Sequence, residues 1–379
     1  MGNERKEVLE NRIKKLQLDL AAQNFEAVLI SSVAHIAYLT GYGNFSKEER
    51  DAYLFITQKE AFILTHSIYT EVIKSQVKHL TLVEISRREP VRKILVNLLK
   101  KSLSPRKVGR NTRLGIEEDH LTVAEYRALQ KEFRNIDNFD MSLSRIVKNN
   151  LEIENIRKAC HLGDEAFLHV IKKIKPGIAE LELVFELENY IRKSRADISF
   201  KTIVAFGKNS AYPHHQAGLT KFENTPGQII LMDFGVKLNS YCSDMTRTVF
   251  FGKPSTKQEK LYETVLEAQK KAVDFINSKI KSGKAIKCAE VDKIARGFIT
   301  QKGYPSIPHS LGHGIGLEVH EHPTLSPKSK DYLQEGMVFS IEPGIYIPNF
   351  GGVRIEDLFV YESNGLIQTT KSSKNLTVI

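Results

Sequence analysis

Ile229–Phe250 reads IILMDFGVKLNSYCSDMTRTVF, two apolar arms around a polar centre at Leu238-Asn239. Short β-prone runs flanking a turn residue such as Asn are the pattern of an antiparallel hairpin. If Leu238-Asn239 is the loop, Lys237 faces Ser240, and counting outward sets Asp233 opposite Asp244. Directly opposed residues share a face with Cβ atoms about 5 Å apart, where two like charges are destabilising unless a cation lies between them. A second pair of segments repeats the arrangement. Met337–Tyr346 (MVFSIEPGIY) and Gly351–Phe359 (GGVRIEDLF) flank a turn at Pro348–Gly352, and Glu342 and Glu356 are symmetric about Asn349. Both acids sit in otherwise apolar strands, where an unpaired carboxylate is costly or takes up a proton.

A fourth segment, His309–Glu321 (HSLGHGIGLEVHE), supplies nitrogen. His309 and His313 are four apart, but Gly312, Gly314 and Gly316 argue against a regular helix, and neither the HExxH zinc motif nor a dinucleotide loop is present. The glycines instead let the backbone approach a crowded site. Asp233, Asp244, His313, Glu342 and Glu356 together make four carboxylates and one imidazole, a ligand set for two divalent metal ions. Oxygen-rich ligation with one nitrogen suits Mn²⁺ first, then Co²⁺, Zn²⁺ or Fe²⁺. Two such ions ~3.5–4 Å apart lower the pKa of a shared water and polarise a carbonyl, so convergence of these residues implies a metal-dependent hydrolase.

Bulk properties narrow the setting. A chain of 379 residues suggests two domains, and 41% hydrophobic with 26% charged residues describes a globular protein. No apolar run approaches the ~18–20 residues of a membrane span, and Met1–Lys6 lacks the apolar core of a signal peptide. Cys160, Cys242 and Cys288 are scattered and odd in number, which favours free thiols in a reducing compartment, the cytoplasm. The net charge of +10 raises the question of nucleic acid. Its lysines, however, are interspersed with Glu along helix-like segments such as 257–281, with no arginine-rich arm or zinc finger, so no nucleic-acid partner is expected.

Leu9, Ile13, Leu16 and Leu20 recur at helical spacing before a strand at 27–30, and 53–57 and 61–65 read as a hairpin. Helices over 91–103 and 123–133, with a strand at 114–116 between them, complete an α/β domain over about the first 140 residues. The polar stretch 140–151 reads as a linker. Beyond it, helices are expected over 156–174, 183–195, 261–276 and 291–298, and strands at 202–206, 229–236, 243–251, 337–347 and 353–361. Strands grouped as hairpins with helices between the groups favour an α+β sheet covered by helices.

At these residues the chain resembles the pita-bread metallopeptidases: Xaa-Pro aminopeptidases, prolidases, methionine aminopeptidases and creatinase. Tyr38-Leu39-Thr40-Gly41-Tyr42 is the most recognisable segment of the N-terminal part. The resemblance implies a creatinase-type α/β domain over 1–142 and a pita-bread catalytic domain over 143–379, a curved antiparallel sheet covered by helices. It implies that Asp233 binds one metal, that Asp244 and Glu356 bridge both, and that His313 and Glu342 hold the other, with Glu342 also the general base. His309 and His320 match histidines that contact the substrate and stabilise the tetrahedral intermediate. Arg354 matches a substrate-site arginine, and His214, beside His215, matches the histidine at the cleft mouth. The implied activity is that of an Xaa-Pro aminopeptidase, which acts on peptides with proline in second place. An Xaa-Pro dipeptidase (prolidase) is the alternative, and a catalytically inactive binding module a more distant one. The family also implies a homodimer.

Overall fold

Leu9, Ile13, Leu16 and Leu20 form the buried stripe of the helix Asn3–Ala22, the first element of the protein. The structure, a computed structural model, describes residues 3–46, 48–86, 88–102 and 112–379. The chain divides into two units, Met1–Leu143 and Ser144–Ile379.

The first unit is built on a six-stranded sheet in the order Thr81–Ile85, Ala61–His66, Ala52–Thr57, Ala27–Ile30, Arg113–Ile116, Asn135–Asn138. The inner strands 27–30, 52–57 and 61–66 pair antiparallel, and the flanking strands join in parallel. Ala27–Ile30 and Ala52–Thr57 are buried along their whole length, because alternate side chains feed separate cores on the two faces. Val28, Ile30, Leu54 and Ile56 pack with Leu16 and Leu20 of the first helix. Ala27, Leu29, Tyr53 and Phe55 pack with Leu95 and Leu99 of the helix Val91–Ser102.

In the second unit two helix pairs each cover an antiparallel sheet. The helices Asn150–Val170 and Glu180–Lys193 pack on the strands Ile203–Phe206, Gln228–Phe234 and Met245–Phe251. The helices Thr256–Lys281 and Cys288–Gln301 pack on a five-stranded sheet in the order Glu321–Leu325, Gly312–Gly314, Val338–Ile341, Asp357–Glu362, Gly365–Gln368. Leu261, Val265, Ala268, Ala272 and Ile276 are the buried face of Thr256–Lys281. Ser255 and Gln258 start that helix as a reciprocal capping box. The expected α+β class and its helix-covered antiparallel sheets are what the chain forms.

The first hairpin differs in register from the count. Its loop is Asn239-Ser240, both left-handed at φ 50° and 72°, so Leu238 pairs Tyr241, and Lys237 pairs Cys242 rather than Ser240. Two consecutive positive φ values are the turn geometry that matches strand twist. The arms keep that register, and Asp233 faces Thr246, not Asp244. The side-chain period is two, so an offset of two residues leaves Asp244 on the same face as Asp233, one pair further along.

The second hairpin has the counted register. Ile341 pairs Asp357 and Gly344 pairs Arg354, which brackets Glu342 opposite Glu356. The ladder breaks between those pairs: the Glu342 N–H bonds to the Leu311 carbonyl (2.8 Å) and the Glu356 N–H to that of Thr246 (3.2 Å). Both acids thus lie in the gap where four chain segments meet through hydrogen bonds, not within strands. The glycines around His313 permit a similar crowding. A Cβ on Gly312 would lie 2.0 Å from the Ser340 carbonyl oxygen, and one on Gly314 2.1 Å from that of His322.

The stretch read as a linker, 140–151, holds the division between the two units after Leu143, but its second half is built into the second unit. Arg145 and Lys148 are buried, the Lys148 N–H bonds to the Gly336 carbonyl (2.9 Å), and Asn149 caps the helix that follows. The polar groups of Arg145, Lys148 and Asn149 serve ion pairs and a helix cap.

Candidate metal centre

Asp244, His313 and Glu356 each bring one ligand atom to within 4.8 Å of the other two. Asp244 leads out of the first hairpin's tip, His313 lies on the strand Gly312–Gly314, and Glu356 sits in the ladder gap. His313 Nδ1 lies 3.1 Å from the Gly314 carbonyl, which only accepts, so that nitrogen carries the proton. Its Nε2 faces Glu342 Oε1 at 3.3 Å and Asp244 Oδ2 at 3.6 Å. A carbonyl holding one ring nitrogen and freeing the other is the usual second-shell arrangement of a ligating histidine.

The electrostatics are those of a site short of positive charge. Burial, then Glu356, Asp233 and Glu342, push the Asp244 carboxyl well above the usual carboxylate range. Burial and the charges of Glu342 and Asp233 do the same to Glu356. Burial opposes the charge on His313, but its hydrogen bond to Glu342 and the charges of Glu342 and Glu356 take it up to about 9. Glu342 moves the other way: burial raises it, yet His313, His309 and Arg354 bring it down to about 2. Oδ1 of Asp233, Oδ1 of Asp244 and Oε1 of Glu356 are buried without a hydrogen-bond partner. Buried carboxylate oxygens left unpaired are strongly unfavourable, and divalent cations satisfy them. The donor set therefore fits the two ions expected from the sequence.

Arg354 lies at the centre of a chain of polar contacts. Its Nη2 donates to Asp233 Oδ2 (2.5 Å), Nε to Thr246 Oγ1 (3.0 Å), and Nη1 to the Tyr346 hydroxyl (2.8 Å) and the Pro213 carbonyl (3.3 Å). Thr246 in turn donates to Glu356 Oε2 at 2.8 Å. His309 Nδ1 is held by the Ser310 carbonyl (2.8 Å), so Nε2 accepts from the Tyr346 hydroxyl at 2.9 Å. Burial holds His309 below the ordinary imidazole value although Glu342 opposes it. His320 stacks edge-on to His313, ring centroids 4.5 Å apart; partial burial and the His313 charge lower it too.

His214 is exposed and close enough to His309 and His320 to depress both. Its neighbour His215 turns away: His215 Nε2 bonds to Glu180 Oε2 at 2.8 Å. Glu180, fully buried, also accepts from the backbone N–H groups of Phe206 and Gly218 and from Asn209 Nδ2. It thereby pins both ends of the loop that presents His214.

Thr246, Tyr346 and Glu180 were absent from the sequence reading. Tyr346 had a signal, since it lies two residues beyond Gly344 on the arm opposite Arg354. Thr246 would have followed from the correct hairpin register. Glu180 carried no local signal, because its partners come from 206–218.

Residues 154–363 match the model of metallopeptidase family M24, and residues 12–148 match that of the creatinase/prolidase N-terminal domain. An Xaa-Pro dipeptidase of Pyrococcus horikoshii is 35% identical over 372 residues, 98% of this chain and 99% of that protein. The solved structure of an Xaa-Pro dipeptidase from Bacillus anthracis aligns at TM-score 0.87 and 33% identity, over 98% of this chain and 100% of that one. That of an X-Pro aminopeptidase from Thermotoga maritima aligns at TM-score 0.82 and 31% identity, over 97% and 99%. Three metal-fitting residues brought together at one site, two matched family models and relatives aligned end to end lead to one conclusion: the chain belongs to metallopeptidase family M24, with a creatinase/prolidase-type N-terminal domain.

Proposed function

We propose that the protein is an Xaa-Pro dipeptidase whose site takes two divalent ions, Mn²⁺ first among them. The observation that carries the metal reading is the set of three partnerless buried carboxylate oxygens, on Asp233, Asp244 and Glu356, with Asp244 and Glu356 grouped around His313. The dipeptidase reading is favoured by the Pyrococcus horikoshii and Bacillus anthracis relatives, both described as Xaa-Pro dipeptidases. The aminopeptidase expected first from the sequence becomes the second reading, kept by the similarity to the Thermotoga maritima enzyme.

Asp233, Asp244, His313, Glu342 and Glu356 would hold the ions, which when bound supply Lewis-acid polarisation of the scissile carbonyl and a water of lowered pKa. The remaining groups are this chain's own contribution. Glu342, held ionised, is the general base and takes a proton on its carboxylate. His309 and His320 stay neutral near pH 7; His320 offers a ring N–H to the developing charge, whereas His309, whose one N–H is given to the Ser310 carbonyl, orients the Tyr346 hydroxyl beside the substrate through Nε2. Arg354 and the Tyr346 hydroxyl add donors beside Asp233, and His214 meets the peptide at the mouth. Three buried thiols outside any disulfide suit a reducing cytoplasm, and the homodimer remains part of the proposal on the family resemblance. No helix among the described residues is long and apolar enough to cross a membrane.

The test is side-by-side kinetics of the Mn²⁺-loaded protein on an Xaa-Pro dipeptide and the matching Xaa-Pro-Yaa tripeptide. A larger kcat/KM for the dipeptide is expected. Preference for the tripeptide would move the assignment to the aminopeptidase, and hydrolysis of neither would overturn both.

A further inference from the structure

His320 closes a tight loop, Ile315–Val319, between the strands Gly312–Gly314 and Glu321–Leu325. The loop's backbone bonds are the Gly316 N–H to the Glu318 carbonyl (3.0 Å) within it, and outward the Ile315 N–H to the Val338 carbonyl (3.1 Å) and the Cys242 N–H to the Gly316 carbonyl (2.7 Å). Its closure depends on Glu321, the residue after His320. Glu321 Oε1 accepts from the Glu318 N–H at 3.1 Å, folding the carboxylate back under the loop. A Cβ on Gly316 would lie 2.8 Å from Glu321 Oε2, so only glycine leaves room for the carboxylate there.

That carboxylate is 4% exposed and is gripped by two cations from the short stretch before the helix Asn150–Val170. Lys148 Nζ, 1% exposed, lies 3.1 Å from Oε2, and Arg145 Nη1 lies 3.0 Å from Oε1. Arg145 Nη2 spans across to Glu318 Oε2 at 2.6 Å. One guanidinium thus ties the loop residue Glu318 to Glu321 on the strand that follows, and Val147 bridges to Met337.

We propose that Arg145 and Lys148 are positioning residues for His320: through Glu321 and Glu318 they clamp the loop that aims the imidazole at the substrate. The proposal rests on reading His320 as a substrate contact. The stretch that looks like a linker is on this account a part of the active-site scaffold.

A double-mutant cycle on the full-length Mn²⁺-loaded protein tests it, with melting temperature and bound metal measured for every variant. His320→Ala is expected to lose about a hundredfold in kcat/KM, as for one donor to the developing oxyanion. Lys148→Met is expected to lose about tenfold, the scale of a misaimed group, with metal content unchanged. Combined with His320→Ala it should add nothing, because the residue it aims is gone. Arg145→Lys, which keeps the charge but cannot span Glu318 and Glu321, should show the same dependence if Lys148→Met folds poorly. Equal losses with and without His320 would overturn the clamp, as would full activity of both clamp variants. Wild-type activity of His320→Ala would instead overturn the reading of His320, and the clamp with it.

Discussion

Arg247→Met probes the wall behind the metal cluster. Arg247 is 1% exposed and no donor nitrogen of its guanidinium is idle. Nη1 donates to the carbonyls of Thr246 (2.9 Å) and Glu356 (2.6 Å); Nη2 to Asp357 Oδ1 (2.6 Å) and the Ser372 carbonyl (2.9 Å); Nε to Ser372 again (3.3 Å). It therefore joins the strand that carries Thr246, the ladder gap that carries Glu356 and the C-terminal segment. Methionine fills the aliphatic part but leaves the carbonyls and one side of Asp357 without a donor. Breaking a buried pair costs about 3–5 kcal/mol. Asp357 keeps Lys374 (3.0 Å) and Gln269 (3.0 Å), so the lower end applies. At about 2–4 °C per kcal/mol for a unit of this size, the melting temperature should fall by roughly 6–12 °C. Mn²⁺ affinity should fall with it, since Glu356 loses a backbone restraint. Arg247→Lys should recover part of each. Circular-dichroism melting of metal-free protein, with calorimetric Mn²⁺ titration, reads both. A Met variant that melts within about 2 °C of the wild type would refute the reasoning.

The metal-free protein should lose stability as pH rises. His313 is raised to about 9 in the folded state, so its contribution is complete below the unfolded value of ~6.5 and lost through about 9. The difference is worth about 3 kcal/mol. Glu342, lowered to about 2, contributes stability above its unfolded value of ~4.5 that is lost as pH falls through about 2. Melting curves of metal-free protein at pH 6.5 and 9.5 check the first, and a higher melting temperature at 9.5 would contradict it. Mn²⁺ binding at pH 7 should release protons from the same cluster, seen as a binding heat that varies with the buffer's ionisation heat. Glu180→Ala strands four donors around the 206–218 loop and should raise KM for an Xaa-Pro dipeptide more than it lowers kcat. An unchanged KM in a folded variant would break the link between that loop and the substrate.

The apolar spacing along 156–170 and 261–276 is visible from the sequence because each helix buries one continuous stripe. The second hairpin was countable because Pro348–Gly352 marks its turn. The first was miscounted because Asn239-Ser240 adopts left-handed backbone without a glycine to announce it. Even so, both acids stayed on one face, since the error was an even number of residues. Glu180, Thr246 and the clamp of Arg145 and Lys148 were hidden for a different reason. Their partners are remote in sequence, and a buried charge looks like a solvated one until its counter-charge is placed. A polar stretch such as 140–151 then reads as a linker.

The central claim is that Asp233, Asp244, His313, Glu342 and Glu356 hold two divalent ions. Calorimetric titration of metal-free protein with Mn²⁺, set beside Asp244→Asn, tests it most directly. Two ions per chain are expected in the wild type, and loss of at least one together with peptide hydrolysis in the variant. No bound ion in the wild type, or two ions held equally well by Asp244→Asn, would contradict it.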